Sequence, residues 1–196
     1  MNRVRFVPPG PPVPPGQIVV EDWPRLDIDP PVDSVPLEGW RLRVWGAVEK
    51  EVSFSAEDLF EMGAQEMEAD IHCVTTWSVM GSLWEGIPLE RLVAEASPIP
   101  QACHSLCHGL RRYDTNLLLE DLVAPTSFLV WKRNGKEIPH RNGGPFRFII
   151  PHLYLWKSAK WATGIEILPQ EKMGFWEQRG YHHRGDPWKE ERFSVG

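Results

Sequence analysis

The chain has 196 residues, of which 42% are hydrophobic and 24% charged, and its formal net charge is −6 at pH 7. This composition is typical of one globular domain with a substantial core, and no apolar run approaches the roughly 20 residues of a membrane span. The negative net charge argues against nucleic acid as a general partner, because phosphate binding draws on clustered excess Lys and Arg.

The N-terminus and the cysteines indicate a reducing compartment. MNRVRFVPPG contains neither an apolar segment of signal-peptide length nor a twin-arginine pair, so we expect a cytoplasmic protein. Three cysteines occur, Cys73, Cys103 and Cys107, and an odd number in such a chain makes a disulfide framework unexpected. These thiols therefore need another explanation.

Proline dominates the first part of the chain, where residues 1–36 carry ten of the nineteen prolines. Proline has a fixed φ and no amide hydrogen, so this stretch cannot form a helix or an inner strand. We predict an extended arm over residues 1–36 and one domain over residues 37–170. A C-terminal tail, residues 171–196, is expected to pack on that domain.

Alternation begins at Trp40, since Trp40, Leu42 and Val44 share one face in the period of a half-buried strand. A second short strand, EVSF, follows it. Ser55 is then a typical N-cap with two acidic residues in the next turn, and it predicts a short helix that Gly63 ends.

The stretch QEMEADIHCV alternates again. It places Cys73 on one apolar face with Met67, Ala69 and Ile71. The opposite face carries the polar residues Glu66, Glu68, Asp70 and His72. Cys73 is thus predicted to point inward. From these residues alone a buried structural thiol is the favoured interpretation, because free cysteine is among the most buried residue types.

The loop TTWSVMGSLWEG precedes Pro88, which suits the first turn of a helix with an apolar stripe at Leu89, Leu92, Val93 and Ala96. TSFLVWKRNGKEIP predicts a hairpin around Asn134-Gly135, and FRFIIP and WATGIEIL predict two further strands. Short strands and brief helices together indicate an α+β fold with mixed β-sheets and not a repeating βαβ wind.

Two thiols and two imidazoles lie close together in CHSLCHG, and such a group invites a zinc site. Structural zinc sites usually add a second, distant pair of ligands, and alternation on a strand would turn these side chains to opposite faces. A non-catalytic metal- or partner-binding module that uses the Cys103/Cys107 cluster is the alternative function for the chain.

Cations, glycines and tryptophans are interleaved in HRNGGPFRFIIPHLYLWKSAKW. Glycine lets a ligand approach the backbone closely, and Arg147, Lys157 and Lys160 supply charges that suit a phosphate. A solvated surface loop is the alternative interpretation. The interleaved Trp156 and Trp161 favour instead a pocket for a flat ring with a phosphate tail.

Taken in order, the segments from Trp40 to Pro169 resemble the molybdopterin-binding oxidoreductase domain of the sulfite oxidase family. They are most similar to single-domain bacterial members and to the periplasmic methionine sulfoxide reductase catalytic subunit. HCVTTWS resembles the loop whose cysteine binds molybdenum, which implies that Cys73 is the metal ligand. YDTNLLLEDL resembles a segment that places a tyrosine, here Tyr113, beside the oxo group. Cys73 and Tyr113 are therefore the implied catalytic residues.

Two further segments match cofactor-binding motifs of that family. NGGPFR implies that Asn142 and Arg147 contact the cofactor. KSAK implies that its phosphate is bound by Ser158, Ala159 and Lys160, together with Lys157. The implied protein is a molybdenum-molybdopterin (Moco)-dependent oxidoreductase with a small-molecule substrate. The chain has no room for the family's haem domain, so the resemblance also implies a separate electron-transfer protein as partner.

The segment after the cysteine departs from the family pattern. Trp77, Ser78 and Val79 stand where sulfite oxidases place arginines that bind an anionic substrate. Sulfite is therefore not the substrate that we expect, and the predicted reaction transfers an oxygen atom, or electrons, to or from another small molecule. A third interpretation is that the fold stores or delivers the cofactor without catalysing a reaction.

Overall fold

The computed structural model describes residues 2–28 and 32–194, which form fourteen β-strands, three α-helices and four 3-10 turns. The helices are α1 (Ala56–Glu61), α2 (Leu89–Ala96) and α3 (Leu119–Leu122). The strands are β1 (Arg3–Arg5), β2 (Ile18–Val19), β3 (Arg41–Gly46), β4 (Val52–Ser55), β5 (Gln65–Glu68), β6 (Ile71–His72), β7 (Trp77–Val79), β8 (Leu83–Pro88), β9 (His104–His108), β10 (Asp114–Leu118), β11 (Phe128–Arg133), β12 (Lys136–Glu137), β13 (Arg147–Ile149) and β14 (Gly164–Leu168). Over the described part of the chain, no helix has the length and apolar character needed to cross a membrane.

The strands form three sheets. A six-stranded sheet has the order β1-β5-β8-β11-β12, with β13 also paired to β11, and a five-stranded sheet has the order β10-β9-β14-β3-β4. The third sheet, β2-β7-β6, is small and leads directly into Cys73. Parallel pairs such as β14 with β3 lie beside antiparallel pairs such as β11 with β8. The predicted α+β fold with mixed sheets and short helices is confirmed.

Local sequence explains several of these elements. Leu42 and Val44 have no exposed surface along β3, whereas the arginines beside them are exposed, as the alternation predicts. Ser55 and Asp58 form a capping box at the start of α1: the Asp58 amide donates to Ser55 Oγ at 3.1 Å, and the Ser55 amide donates to the Asp58 carboxylate at 2.7 Å. At the β11–β12 turn, Asn134-Gly135 has φ values of 51° and 74°, as a type I′ hairpin requires.

Residues 65–74 form two strands, because the chain passes from the large sheet to the small one between β5 and β6. The break is stabilised by side chains: Trp84 Nε1 donates to the Ala69 carbonyl at 3.0 Å, and the Asp70 carboxylate accepts from the Gly81 amide at 2.6 Å. The predicted inward face is nevertheless buried throughout, at Met67, Ala69, Ile71 and Cys73.

His72 differs from the prediction, since it was expected on the polar face and is only 1% exposed. The ring of Trp188, from the C-terminal tail, covers it edge-on with 5.1 Å between ring centroids. A strand parity argument cannot detect such cover, because it comes from more than a hundred residues further along the chain.

The segment TTWSVMGSLWEG, expected to be a loop, contains β7 and the first part of β8. β8 is the central strand of the large sheet, and Gly86 in it touches a neighbouring strand. A Cβ on Gly86 would lie 2.1 Å from the carbonyl oxygen of Leu129. Gly86, which lies in the segment expected to be a loop, therefore marks a close approach between two strands.

Over its described residues, 2–28 and 32–36, the proline-rich arm contributes two short edge strands and no inner strand. β1 pairs in parallel with β5, and β2 pairs in parallel with β7. Edge strands are compatible with nearby proline, because one side of each needs no hydrogen-bond partner. The proposed boundaries at residues 36 and 170 stay predictions.

Two buried clusters make up the core. The larger one contains side chains of β3, β14, α1 and α2, among them Leu42 and Ile165. The smaller one includes Met67, Trp84 and Cys73. Cys73 thus lies at the margin of a packed core, where its thiol can face a cavity without loss of backbone order.

The first prediction concerns the larger cluster. We expect Leu42→Ala to lower the free energy of unfolding by about 2–5 kcal/mol, because a buried leucine leaves a cavity that neighbours fill only in part. Leu37→Ala, at a position that is 42% exposed, should change it by less than about 0.5 kcal/mol. Urea denaturation followed by tryptophan fluorescence measures both variants. Equal losses would contradict the assignment of Leu42 to the core.

Candidate active site

A cavity of about 580 Å³ brings together four parts of the chain. One wall is the loop that starts at Cys73. Others come from the central segment, including Tyr113 and Arg147, and from the C-terminal tail. The fourth is the arm, from Trp23 to Ile28. Residues far apart in sequence therefore line one cavity.

Cys73 begins a tight turn between β6 and β7. Its amide donates to the Trp77 carbonyl at 2.8 Å, and its carbonyl accepts from the Thr76 amide at 3.1 Å. Thr76 has a φ of 73°, the left-handed conformation that closes such a turn. The turn presents the Cys73 side chain to the cavity, with 7% of the residue exposed.

The Cys73 thiol has a polar neighbour in its own loop. Thr75 Oγ1 donates to Cys73 Sγ at 3.2 Å. Burial raises the pKa of the Cys73 thiol, and the Thr75 hydrogen bonds and the charge of Arg192 offset part of the rise. His72 gives no assistance, because its ring bonds Ser78 Oγ at 2.8 Å, and burial lowers its pKa to about 4. His72 is thus a neutral structural side chain at pH 7.

Arg147 is 1% exposed and joins two segments of the site. Its guanidinium donates to the Asn142 carbonyl at 2.6 Å and to the Ser158 carbonyl at 2.8 Å. Burial lowers the pKa of Arg147 to about 9, so the group remains charged at pH 7. The Trp23 ring covers it at 4.9 Å from the ring centroid. Arg147 therefore both lines the cavity and holds two segments of its wall together.

Lys160 lies at the edge of the cavity and is paired with the arm. Its Nζ donates to the Asp27 carboxylate at 2.5 Å and to the Leu26 carbonyl at 3.0 Å. Gly143 packs against the stem of this lysine, and a Cβ there would lie 2.8 Å from the Lys160 Cβ. Gly143 also has a φ of 99°, so both space and backbone conformation require glycine.

Tyr113 lines the cavity, but its hydroxyl is bonded to the protein. It donates to the carbonyl of Trp156, whose ring forms part of the same wall. Burial and the nearby Glu177 carboxylate raise the pKa of Tyr113 well above its usual value. The hydroxyl therefore stays protonated and is a hydrogen-bond donor at any pH at which the protein would work.

Lys157 points away from the cavity into a buried network. Neither it nor Glu177 has exposed side-chain surface, and the ion pair between them measures 2.7 Å. The same ammonium donates to the Asn116 side chain at 2.6 Å and to the His183 carbonyl. Glu177 also accepts from Trp156 Nε1 at 2.9 Å, which fixes the orientation of a cavity-lining ring.

Three other predicted residues differ in how they take part. Ser158 lines the cavity, and its Oγ accepts from the Ile150 amide at 2.9 Å. Asn142 and Ala159 do not line it, and they contribute backbone carbonyls to neighbouring segments instead. The structure thus brings Cys73, Tyr113, Arg147, Ser158 and Lys160 to one cavity.

Sequence reasoning missed the aromatic wall formed by the tail. Phe175, Trp176 and Tyr181 line the cavity, and each of their rings lies close to another. Arg179 lies there too, bonded to the Phe175 carbonyl at 2.6 Å with its guanidinium over that ring. The density of aromatic residues in GFWEQRGY is the signal that could have indicated this wall.

The cysteines of CHSLCHG do not share a site. Cys107 has no exposed surface and packs in the larger core cluster. Cys103 is exposed, and its Sγ lies 3.1 Å from the Pro169 carbonyl. Within residues 2–28 and 32–194, no group of three or more His, Cys, Asp or Glu side chains is arranged to hold a metal ion.

Comparison with known proteins agrees with this geometry. Residues 29–176 match the family model described as the oxidoreductase molybdopterin binding domain. The chain belongs to this family. Its resemblance to sulfite oxidase-like molybdopterin-binding oxidoreductases is thereby confirmed, and so is its membership of an oxidoreductase family.

Two relatives and one solved structure describe its place in the family. The chain is 38% identical over 182 residues to the uncharacterized oxidoreductase YuiH of Bacillus subtilis (strain 168), covering 93% of the chain and 92% of YuiH. It is 29% identical over 157 residues to the protein-methionine-sulfoxide reductase catalytic subunit MsrP of Gluconobacter oxydans (strain 621H), covering 71% of the chain and 50% of MsrP. The chain spans about half the length of that reductase subunit.

The fold also resembles that of the sulfane dehydrogenase SoxCD from Paracoccus pantotrophus, with a TM-score of 0.66. The identity is 20%, and the match covers 75% of this chain and 42% of the other. A likeness at this identity shows the shared family fold and no more.

The second prediction tests the buried ion pair. Lys157→Met should lower the free energy of unfolding by about 3–5 kcal/mol, because it leaves the Glu177 carboxylate buried without its counter-charge. Glu177→Gln should be destabilising for the converse reason. The double variant should lose less than the sum of the two, which denaturant titration of all three variants measures. Additive losses would show that the two side chains do not act as a pair.

Proposed function

We propose that the chain is a molybdenum cofactor-dependent oxidoreductase in which the Cys73 thiolate binds the metal. The observation that carries the proposal is that one cavity contains both the Cys73 thiol and a cationic region formed by Arg147 and Lys160. A soft thiolate suits a high-valent molybdenum that the two dithiolene sulfurs of the pterin also hold. Cations suit the phosphate of the same cofactor.

Lys160 supports the phosphate end of this proposal, because it already holds an anion. The Asp27 carboxylate, 2.5 Å from Nζ, stands in for a phosphate oxygen. A phosphate at this place would compete with Asp27 and displace the carboxylate from the ammonium. The side chains of Leu26 and Ile28 beside it are largely exposed, so little packing would oppose such a displacement.

The other residues of the central segment would support the cofactor from behind. Arg147 orders the Asn142 and Ser158 carbonyls and keeps its charge beside the cavity. Lys157 is a positioning residue in this proposal, because its ammonium is committed to Glu177 and Asn116. These contacts give the pterin a rigid wall and leave Lys160 for its phosphate.

When bound, the cofactor supplies two-electron redox chemistry, and the protein orients it and controls access to it. The Thr75 hydroxyl donates to Cys73 Sγ and stabilises the thiolate form. Tyr113 is held neutral by burial and can donate a hydrogen bond to an oxygen atom when it releases the Trp156 carbonyl.

The residues that follow Cys73 support a substrate other than an oxyanion. Trp77 lines the cavity, Ser78 is buried and bonded to His72, and Val79 packs in the core. We propose a small uncharged sulfoxide or N-oxide as the substrate and a separate protein as the electron donor. The similarity to subunits named protein-methionine-sulfoxide reductase supports this choice.

The third prediction tests the metal ligand. Protein purified from a host that makes the cofactor should contain molybdenum and pterin, and Cys73→Ser should lose most of the molybdenum because an alcohol is a poor ligand for it. Cys103→Ser, at an exposed cysteine outside the cavity, should retain both. Elemental analysis and pterin fluorescence measure the two components. Wild-type protein without either component would refute the proposed function.

The same variants test the alternative built on the Cys103/Cys107 cluster. That function predicts stoichiometric zinc that is lost when Cys103 and Cys107 are replaced, with no effect of Cys73→Ser. Zinc analysis of the wild type, Cys73→Ser, Cys103→Ser and a Cys103→Ser/Cys107→Ser double variant distinguishes the two functions. The cavity geometry leads us to expect no zinc in any of them.

The fourth prediction tests the phosphate end. Lys160→Met should weaken cofactor binding by about ten-fold or more and so lower the bound pterin, since a charge-assisted hydrogen bond contributes roughly 1.5–3 kcal/mol. Lys172→Met is the matched control, because Lys172 forms an exposed ion pair with Glu166 outside the cavity. The ratio of pterin to protein in the two preparations measures the effect. Equal pterin content would remove Lys160 from the proposed binding site.

A further inference from the structure

The loop that carries Cys73 is contacted by both ends of the chain. Gln17 reaches it from the arm and Arg192 from the C-terminal tail, and both residues lie outside the segment 29–176 that matches the family model. These contacts are therefore not among those that the family match describes. The effect of each contact depends on which backbone atom of the loop it binds.

Gln17 binds the first peptide of the loop. Its Nε2 donates to the Cys73 carbonyl at 3.1 Å, and its Oε1 accepts from Ser78 Oγ at 3.3 Å. The adjoining Ile18 amide donates to the Thr76 carbonyl at 2.8 Å, which is the start of the parallel pairing of β2 with β7. The arm is thus hydrogen-bonded to the loop at Cys73 and again at Thr76.

Arg192 binds the second peptide. Its guanidinium donates to the Val74 carbonyl and lies over the ring of Tyr154, 5.0 Å from the ring centroid. Arm and tail also meet at this place: a Cβ on Gly16 would lie 3.1 Å from the Glu190 carboxylate and 3.4 Å from the Arg192 guanidinium. The arm and the tail therefore contact each other at the place where both bind the loop.

The peptide bond transmits these contacts to the thiol. Each peptide group is planar, so fixing a carbonyl oxygen also fixes the N–H of the following residue. The carbonyl of Cys73 shares its plane with the amide of Val74, and the carbonyl of Val74 shares its plane with the amide of Thr75. The 74–75 plane also places Thr75, whose Oγ1 donates to Cys73 Sγ at 3.2 Å.

We infer that Gln17 and Arg192 are positioning residues for Cys73: by holding the 73–74 and 74–75 peptide planes, they fix the backbone of Cys73 and place the Thr75 hydroxyl that donates to Sγ. These contacts set the direction of the thiol into the cavity. The consequence at the metal rests on the proposed function, whereas the order of the loop does not. Neither residue is among those that line the cavity, so each acts on Cys73 through the loop.

The first test is hydrogen exchange of the purified protein and of the variants Gln17→Ala and Arg192→Met. Loss of either hydrogen bond should raise the exchange rate of amides in residues 73–78 by about five-fold or more, with the larger core cluster unchanged. Arg91→Met is the matched control, because Arg91 donates to the Met62 carbonyl at 2.8 Å at the end of α1. Unchanged exchange in the loop of both variants would overturn the inference.

Two further readouts separate positioning from general stability. In Gln17→Ala, which alters no charge, alkylation of Cys73 should accelerate relative to the exposed Cys103 of the same chain. In molybdenum-loaded protein the EPR spectrum after one-electron reduction should change in Arg192→Met and recover in Arg192→Lys, which keeps a donor. If exchange rises but thiol reactivity and spectrum match the wild type, the two residues only anchor the chain ends and the inference is wrong.

These measurements also keep the inference apart from the proposed function. Wild-type protein without molybdenum would refute the function, yet exchange and alkylation would still decide whether Gln17 positions the thiol. Wild-type protein with molybdenum but with a loop indifferent to both substitutions would keep the function and refute the inference.

Discussion

The buried ammonium of Lys157 organises the candidate site more than any other group. It has no exposed surface and bonds to Asn116 of β10, to Glu177 of the tail and to the carbonyl of His183. Burying a charge is costly unless its partners are well placed, so this network holds three segments in one arrangement. Through Glu177 it also fixes the Trp156 ring, whose backbone carbonyl accepts the Tyr113 hydroxyl. One ion pair therefore helps to place two aromatic side chains of the cavity, Trp156 and Tyr113.

Three cations close together in sequence therefore have three different roles. Lys157 forms a buried ion pair inside the fold. Arg147 donates to two backbone carbonyls and also lines the cavity. Lys160 binds a carboxylate that other anions could replace. The difference arises from the backbone, because Leu155–Lys157 forms a 3-10 turn that points Lys157 inward. Side chains only three residues apart, at 157 and 160, then face different environments.

Sequence patterns predicted the parts of the fold that have a period. The strand at Leu42, the cap at Ser55, the helix after Pro88 and the hairpin at Asn134-Gly135 depend on neighbours within a few residues. Of the eight site residues nominated from the family motifs, five line one cavity. Other features depend on residues far away in the chain and were not predicted. They are the cover of His72 by Trp188, the strand that contains Gly86, and the inward direction of the Lys157 side chain. No local pattern encodes contacts of that kind.

The arm and the tail are part of the site. The composition predicted only an extended arm. In the structure, Trp23 of that arm covers Arg147 and Asp27 pairs with Lys160. The tail supplies an aromatic wall of the cavity. The alignment with YuiH spans 182 residues, more than the 148 of the segment 29–176, so it must include part of the arm or tail. A cavity built in this way ties the thiol to both chain ends. In such an arrangement, changes in the terminal segments act on the Cys73 loop directly, because the backbone carbonyls of that loop depend on them for donors.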